Sequence, residues 1–199
     1  MRRISQFFSY TLHPLVMPCI GLLFLYAHSP DRIPSSLLYY LLLVTFIGTY
    51  VLPAVIIFLL LVYKGIQNLE MPSSFERRLP LLLSSFLYLA TNRFVSRIGL
   101  PPEYQFYFLG IAVAALLALF INYRMKISIH MIGMGGVTGL LVALAMLYGM
   151  VPFSALAVFL VLSGAVGSAR LYLESHEATE IYLGYFVGFG SVFLPLVLL

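Results

Sequence analysis

Long apolar runs separated by short polar stretches make up most of this chain. A helix needs roughly 20 mostly apolar residues to cross a bilayer. Seven segments approach that length, and they run from about 5 to 27, 37 to 63, 79 to 98, 104 to 123, 128 to 149, 152 to 173 and 179 to 199. The pattern predicts an all-α integral membrane protein, a polytopic bundle that forms a single transmembrane domain over residues 1–199.

Two of these segments are irregular. The third carries Arg93 and Arg97 in its last turns. Because charges at membrane depth are costly, this segment is either a short or tilted span or a re-entrant one, and the predicted count is six to seven spans. The first contains His13-Pro14 and Pro18, which predict a kinked or unwound start. His13 then lies either at headgroup level or against a pocket.

Composition agrees with a membrane protein. Hydrophobic residues make up 62% of the 199 residues and charged residues only 9%, which leaves too little polar surface to cover a water-soluble globule. The single cysteine, Cys19, excludes a disulfide framework and a cysteine metal site. Arg2 and Arg3 precede an apolar run without a small-residue cleavage site, so we expect a first transmembrane helix rather than a signal peptide. These features fit a bacterial inner (cytoplasmic) membrane.

The turn between the last two segments holds Arg170, His176 and Glu180. Buried ionisable groups near a membrane cost several kcal/mol unless they are paired, so this turn is a candidate site. His176 and Glu180 are four residues apart, and on a helix this spacing places them on one face. A carboxylate can accept a hydrogen bond from one imidazole nitrogen and leave the other free to attack. The alternative is an interfacial histidine beside a solvated glutamate.

Two other turns carry residues that suit a phosphate group. Lys126, Ser128 and His130 open an apolar segment, where a positive helix end, cations and a hydroxyl can meet an anion. Arg77 and Arg78 precede the third segment, and a guanidinium fork there can clamp phosphate oxygens. We expect the clamp chiefly from Arg78. The alternative is that these bases only anchor helix ends and set topology.

Small residues recur four positions apart in the last three segments. Such spacing allows helices to pack closely, and here it would hold the turns at 124–130 and 170–180 together. The pairs are Gly135 with Gly139, Gly164 with Ser168, and Gly184 with Gly188.

Together these residues resemble the type 2 phosphatidic acid phosphatase superfamily of membrane lipid phosphatases. Its three signatures are Lys-x6-Arg-Pro, Pro-Ser-Gly-His and Ser-Arg-x5-His-x3-Asp. The third corresponds to Arg170, His176 and Glu180 with its spacing intact, and the second corresponds to Ser128 and His130. Their order and the two-span hairpin between them also match. The resemblance covers about residues 70–190 and indicates a divergent bacterial branch.

The chain departs from these signatures at several positions. Glu180 stands where the family has Asp, and Leu79 intervenes between Arg78 and the following proline. Isoleucines replace the family's Pro and Gly before His130, alanine separates Ser168 from Arg170, and the first signature lacks its lysine; these positions are Ile127, Ile129, Ala169 and Met71.

The resemblance implies a metal-independent lipid phosphatase without cofactors. His176 attacks phosphorus, a phosphohistidine forms, His130 protonates the leaving alkoxide, and Glu180 orients His176. The substrate is a lipid phosphate monoester or diphosphate, and the partners are this lipid and the bilayer, with no nucleic acid. The implied phosphate-binding residues are Arg170, Arg78, Arg77, Lys126 and Ser128.

Two other functions compete with this interpretation. The altered signatures are also compatible with a catalytically impaired relative that binds or passes phospholipid headgroups without hydrolysis. A proton-coupled transporter could use the two histidines and Glu180, but such groups are expected near mid-membrane, whereas these residues lie near predicted helix ends.

Overall fold

The structure is a computed structural model, and it describes residues 2–68, 71, 73–149, 151 and 153–198. Within these ranges every regular element is helical, so the all-α prediction is confirmed. The helices are α1 Arg2–Thr11, α2 Met17–His28, α3 Ser35–Phe46, α4 Leu52–Val62, α5 Ser74–Val95, α6 Pro102–Asn122, α7 Ile129–Tyr148, α8 Phe153–Tyr172 and α9 Ala178–Val197, with a π-helical turn, Ile47–Val51, joining α3 to α4.

Five helical segments of the described chain are long and apolar enough to cross a membrane, which makes this an integral membrane protein. α2 is apolar but has only 12 residues, or about 18 Å at 1.5 Å per residue. The predicted count of six to seven spans is therefore not confirmed. The predicted segment limits at 152 and 199 lie outside the described residues. The five segments are Ser35–Val62, Pro102–Asn122, Ile129–Tyr148, Phe153–Tyr172 and Ala178–Val197.

The first predicted segment is two helices rather than one. α1 ends at Thr11 and α2 begins at Met17. Pro14 lies in the break and Pro18 lies in the first turn of α2; proline lacks the N–H that would continue a helix and clashes with the preceding turn. The hydroxyl of Tyr107 donates a 2.8 Å hydrogen bond to the Pro18 carbonyl, which ties the break to α6.

α7 lies at the centre of the bundle, and its largest contact is with α9. Glycines let the two backbones touch: a methyl group at Gly135 would overlap the Tyr185 carbonyl, and one at Gly188 would overlap the Ile132 carbonyl. The predicted close packing therefore holds for α7 and α9. It does not hold at Gly164 of α8, where an added methyl group would meet open space.

Polar contacts divide the bundle into two ends. At one end, which we call the histidine end because it holds His13, His130 and His176, the Ser128 N–H donates to the Glu180 carbonyl across 3.3 Å. At the other, which we call the Glu103 end, the Ser29 hydroxyl donates to Glu103 across 2.5 Å. The histidine end collects the starts of α5, α7 and α9.

Candidate functional site

The His176–Glu180 pair forms at the start of α9. Nδ1 of His176 donates to Oε2 of Glu180 across 2.6 Å, and the N–H of Glu177 donates to the same oxygen across 3.3 Å. We predicted that both side chains share one helical face. Instead, α9 begins at Ala178, so His176 lies in the preceding turn and meets Glu180 across the helix N-terminus, where a carboxylate is stabilised by the helix dipole.

Hydrogen bonding and charge set the state of His176. Because an ionised carboxylate only accepts hydrogen bonds, Nδ1 carries the proton and Nε2 keeps its lone pair. Burial, followed by the charges of nearby positive groups, lowers the pKa of His176 to about 2. The imidazole is therefore neutral at neutral pH and has a nucleophilic nitrogen available. These groups are, from the largest effect, Arg77, Arg170, Lys126 and, once protonated, His130.

An open cavity of about 440 Å³ lies beside the pair. Its size is within the range of small-ligand sites, roughly 300–1,000 Å³. Nζ of Lys126 donates to the Ser175 carbonyl across 3.0 Å, which holds the α6–α7 turn against the α8–α9 turn. The cavity thus contains one cation, the histidine and three carboxylates. Its lining residues are Lys126, Leu171, Glu174, Ser175, His176, Glu177 and Glu180.

The two adjacent arginines of α5 separate into different environments. Arg77 is buried, its Nε donates to the Met71 carbonyl across 2.8 Å, and its Nη1 donates to the Ile127 carbonyl across 3.3 Å. Arg78 instead lies over the rings of Phe75 and Tyr123, at 5.3 and 4.8 Å from their centroids.

The start of α5 explains this difference. We placed both arginines before the helix and expected the clamp chiefly from Arg78. However, α5 begins at Ser74, with Ser73 capping it by accepting a hydrogen bond from the Glu76 N–H. Consecutive residues of a helix point about 100° apart, so the two side chains leave α5 in different directions. Arg77 is the one whose charge acts on His176.

The α6–α7 turn contributes less to the cavity than its sequence indicated. Ser128 is fully buried, and its hydroxyl finds no hydrogen-bond partner among the described residues. His130 lies in the first turn of α7, and its Nε2 donates to the Ser9 carbonyl across 3.1 Å. Neither is among the described residues that line the cavity. His130 is nevertheless close enough that a proton bound to its ring would act on His176.

Arg170 is the cation whose charge acts on all three histidines of this end. It lies in the last turn of α8, and its carbonyl accepts a 3.1 Å hydrogen bond from the Ser175 N–H. Its charge acts on His13, His130 and His176. The structure therefore gathers five of the predicted site residues around His176, and they are Glu180, Arg170, Lys126, Arg77 and His130.

The sequence left the position of His13 open, and the structure places its ring against His130. Its ring centroid lies 5.6 Å from that of His130, with the planes at 76°, and 6.5 Å from that of Tyr50. The histidine before Pro14 was the only local signal. A contact with His130, 117 residues away by the numbering, has no signature in a single sequence.

Comparisons with known proteins add no family to these observations. No protein-family model matches the chain, and no curated protein or solved structure matches it significantly. Within the described ranges, no group of three or more His, Cys, Asp or Glu side chains is arranged to hold a metal ion. Fold and site thus define an integral membrane protein with a buried neutral histidine, its carboxylate partner and converging cations at a helix end.

Proposed function

We propose that this protein is a membrane-embedded phosphatase that hydrolyses a lipid phosphate monoester or diphosphate through a phosphohistidine. The observation that carries the proposal is the 2.6 Å hydrogen bond from His176 to Glu180, formed where the charges of Arg77, Arg170 and Lys126 all act on the imidazole. A neutral imidazole with one nitrogen oriented by a carboxylate is suited to nucleophilic attack. Surrounding cations favour an anionic substrate.

The reaction proceeds in two displacements. Nε2 of His176 attacks phosphorus, the bond from phosphorus to the ester oxygen breaks, and a proton from His130 neutralises the leaving alkoxide. Water then attacks the phosphohistidine, His130 accepts the proton of this water, and the phosphorus–nitrogen bond breaks to release inorganic phosphate. Glu180 holds the Nδ1 proton of His176 throughout. The scheme uses no metal ion or cofactor.

The cations stabilise the charge that moves during transfer. Phosphoryl transfer depends mainly on positioning and on electrostatic stabilisation of the equatorial oxygens. Arg77, Arg170 and Lys126 supply that charge, and their common effect on His176 supports a shared ligand. Arg77 takes the part that we expected of Arg78. The buried hydroxyl of Ser128 contributes only if the turn opens.

The membrane position of the site supports a lipid substrate. Arg170 lies in the last turn of one apolar helix and Glu180 lies in the first turn of the next, so the cavity is at the level where lipid headgroups sit. We also propose a bundle of six to seven spans, in which α5 and the α1–α2 pair supplement the five apolar segments, in a bacterial inner membrane.

A second candidate function is headgroup binding without hydrolysis. The observation in its favour is that His130 does not line the cavity among the described residues. A general acid must reach the leaving oxygen within about 2.6–3.2 Å. Glu180 in place of the family's Asp also adds one methylene to the orienting side chain.

Phosphate release decides between the two functions. Detergent-purified protein is incubated with phosphatidate-type, isoprenyl and inositol lipid phosphates, and wild type is compared with His176→Ala and His130→Ala. We expect release that falls at least about 1,000-fold in His176→Ala. His28→Ala is the control, because His28 is half-buried at the Glu103 end and, among the described residues, hydrogen-bonds only to the Phe24 carbonyl of its own helix.

Vanadate provides a second discriminator. It resembles the pentacoordinate phosphoryl group and binds tightly where an in-line nucleophile is positioned. A phosphatase binds vanadate much more tightly than sulfate, and His176→Ala removes that preference. Equal affinity for the two anions, together with no release from any lipid, would instead establish the headgroup-binding relative.

A further inference from the structure

α1 presents its polar side to the bundle and its apolar side outward. Ser5 and Ser9 are buried, and α1 packs against α8. Ile4, Phe7 and Tyr10 are 60–75% exposed and follow one another at spacings of three, so they form one stripe of the helix. In a membrane protein such a stripe faces lipid. The polar side of α1 is thereby turned toward the histidine end.

The end of α1 provides the acceptor for His130. The last four carbonyls of a helix have no partner within it, and α1 ends at Thr11, so the Ser9 carbonyl is one of these. It accepts the proton on Nε2 of His130 at 3.1 Å. Because a carbonyl only accepts, this contact fixes Nε2–H as the protonated nitrogen of the neutral ring and leaves the lone pair on Nδ1.

His13 supports the same ring from the side. Its Nδ1 accepts the Leu15 N–H across 3.4 Å, and its ring lies edge-to-face with His130 at 5.6 Å. Tyr50 also lies edge-to-face with the His13 ring, and their ring centroids are 6.5 Å apart. Burial lowers the pKa of His13, and the positive charge of Arg170 lowers it further. His13 is thus a neutral planar ring held between α7 and the π-helical turn.

We propose that the Ser9 carbonyl and the ring of His13 position His130 as the general acid, so that the segment before α2 is part of the catalytic machinery. This inference rests on the proposed phosphatase function. It adds residues from outside the stretch, about 70–190, that resembles the lipid phosphatases. His13 is a positioning residue here, since it acts on the substrate only through His130.

The contacts imply which nitrogen of His130 delivers the proton. With an anionic phosphate bound, the imidazolium carries protons on both nitrogens, and Nε2–H stays on the Ser9 carbonyl. As the bond from phosphorus to the ester oxygen breaks, its electron pair stays on the oxygen, which takes the proton from Nδ1. The ring returns to the neutral Nε2–H form that Ser9 stabilises. This parallels the way a fixed acceptor selects the tautomer of a catalytic histidine.

Substrates with different leaving groups test this role. An alkyl lipid phosphate needs its leaving oxygen protonated, whereas p-nitrophenyl phosphate departs as a stable phenolate and does not. We expect His13→Ala to lower kcat on the lipid by about 10- to 100-fold, with KM little changed, because a displaced acid protonates poorly. On the aryl phosphate, the pre-steady-state burst of p-nitrophenolate reports phosphorylation of His176 alone and not the later hydrolysis, which also uses His130. In His13→Ala the rate of this burst changes less than about threefold, the pattern expected of His130→Ala.

Two further variants separate positioning from simple structural loss. His13→Phe keeps a flat ring against His130 and is expected to retain most of the lipid activity, whereas His13→Ala is not. His13→Leu, which fills similar volume without a planar ring, replaces the alanine variant if the latter does not fold. Thermal melting and size exclusion confirm folding, and His28→Ala is the matched histidine control because it lies at the Glu103 end.

Each outcome is decisive. A lipid-selective loss in His13→Ala that His13→Phe restores supports the inference. Wild-type activity in His13→Ala, or equal loss on both substrates, overturns the positioning of His130 and leaves the phosphatase proposal intact. Absence of phosphate release from the wild type overturns the proposed function, and the inference fails with it.

Discussion

The histidine end and the Glu103 end each bury an ionisable side chain, but the surroundings of the two side chains differ. At the histidine end, His176 borders a cavity of about 440 Å³ and three cations act on it. At the other end, the carboxyl of Glu103 is 2% exposed and receives the Ser29 hydroxyl at 2.5 Å. Tyr104 is also sealed there, with its hydroxyl unbonded among the described residues.

The difference shows what distinguishes a site from a structural polar group. Glu103 lies in the first turn of α6, where the helix dipole stabilises a carboxylate, and Ser29 satisfies one oxygen. Both of these stabilising interactions come from within the protein. At the histidine end, the charges of three cations act on a neutral imidazole beside an open cavity that three carboxylates also line, and such a perturbed group in a cleft is typical of a functional site. Burial alone does not mark a functional group; burial beside a cavity with converging charge does.

The largest effect is expected from the two adjacent arginines at the histidine end. Arg77→Gln should lower phosphate release by about 100- to 1,000-fold, because it removes the fixed positive charge that stabilises the phosphoryl group during transfer. Arg78→Gln, whose wild-type guanidinium lies over Phe75 and Tyr123, should lower it less than about tenfold. Steady-state kcat/KM of the two variants is the measurement. A larger loss in Arg78→Gln would reverse our assignment of the clamp.

A smaller effect is expected from the helix contact beneath the site. A methyl group at Gly184 would lie 2.6 Å from the Ser128 carbonyl, so Gly184→Ala should push α9 from α7. Overpacking of this kind costs about 1–3 kcal/mol, and a shift near 1 Å lowers activity by about 100-fold. Gly190→Ala is the control, since nothing lies within 4 Å of its added methyl. Melting temperature and activity are measured together; equal behaviour of the two variants would contradict the packing.

Acid should destabilise the histidine end more than the Glu103 end. The folded pKa of His176 is about 2, against 6.5 for an ordinary histidine. Between these values the unfolded chain binds a proton that the native state does not, so stability falls as pH falls below about 6.5. His176→Gln should flatten the decline of melting temperature from pH 7 to 4, whereas Ser29→Ala should keep the wild-type slope. Parallel curves for all three proteins would exclude this contribution.

The smallest effect on activity is expected at the Glu103 end. Ser29→Ala leaves a Glu103 oxygen without its donor and should lower stability by about 1–3 kcal/mol, while phosphate release changes less than about twofold. Ser36→Ala, at an exposed serine nearby in sequence, should change neither. Chemical or thermal unfolding in detergent measures the first quantity. A loss of activity in Ser29→Ala without a loss of stability would make the Glu103 end functional.

The sequence patterns predicted where helices occur better than they predicted the residues at which each helix begins and ends. Apolar runs located the helices because a bilayer requires continuous apolar length. The first run was nevertheless divided at Pro14. The helix of the third predicted segment, α5, begins at Ser74 rather than near 79. The Ser73 cap decides that start, and five residues of shift turned two loop arginines into helical ones with different faces.

By itself, the sequence determined an all-α membrane protein and brought His176 within reach of Glu180, since both follow from composition and from residues only four positions apart. Only the tertiary structure decided that Arg77 rather than Arg78 faces His176, that Ser128 is sealed, and that His13 meets His130. The physical reason is that hydropathy and short spacings act along the chain. The direction of a side chain depends on where its helix begins and on which helix packs against it, and distant segments settle both.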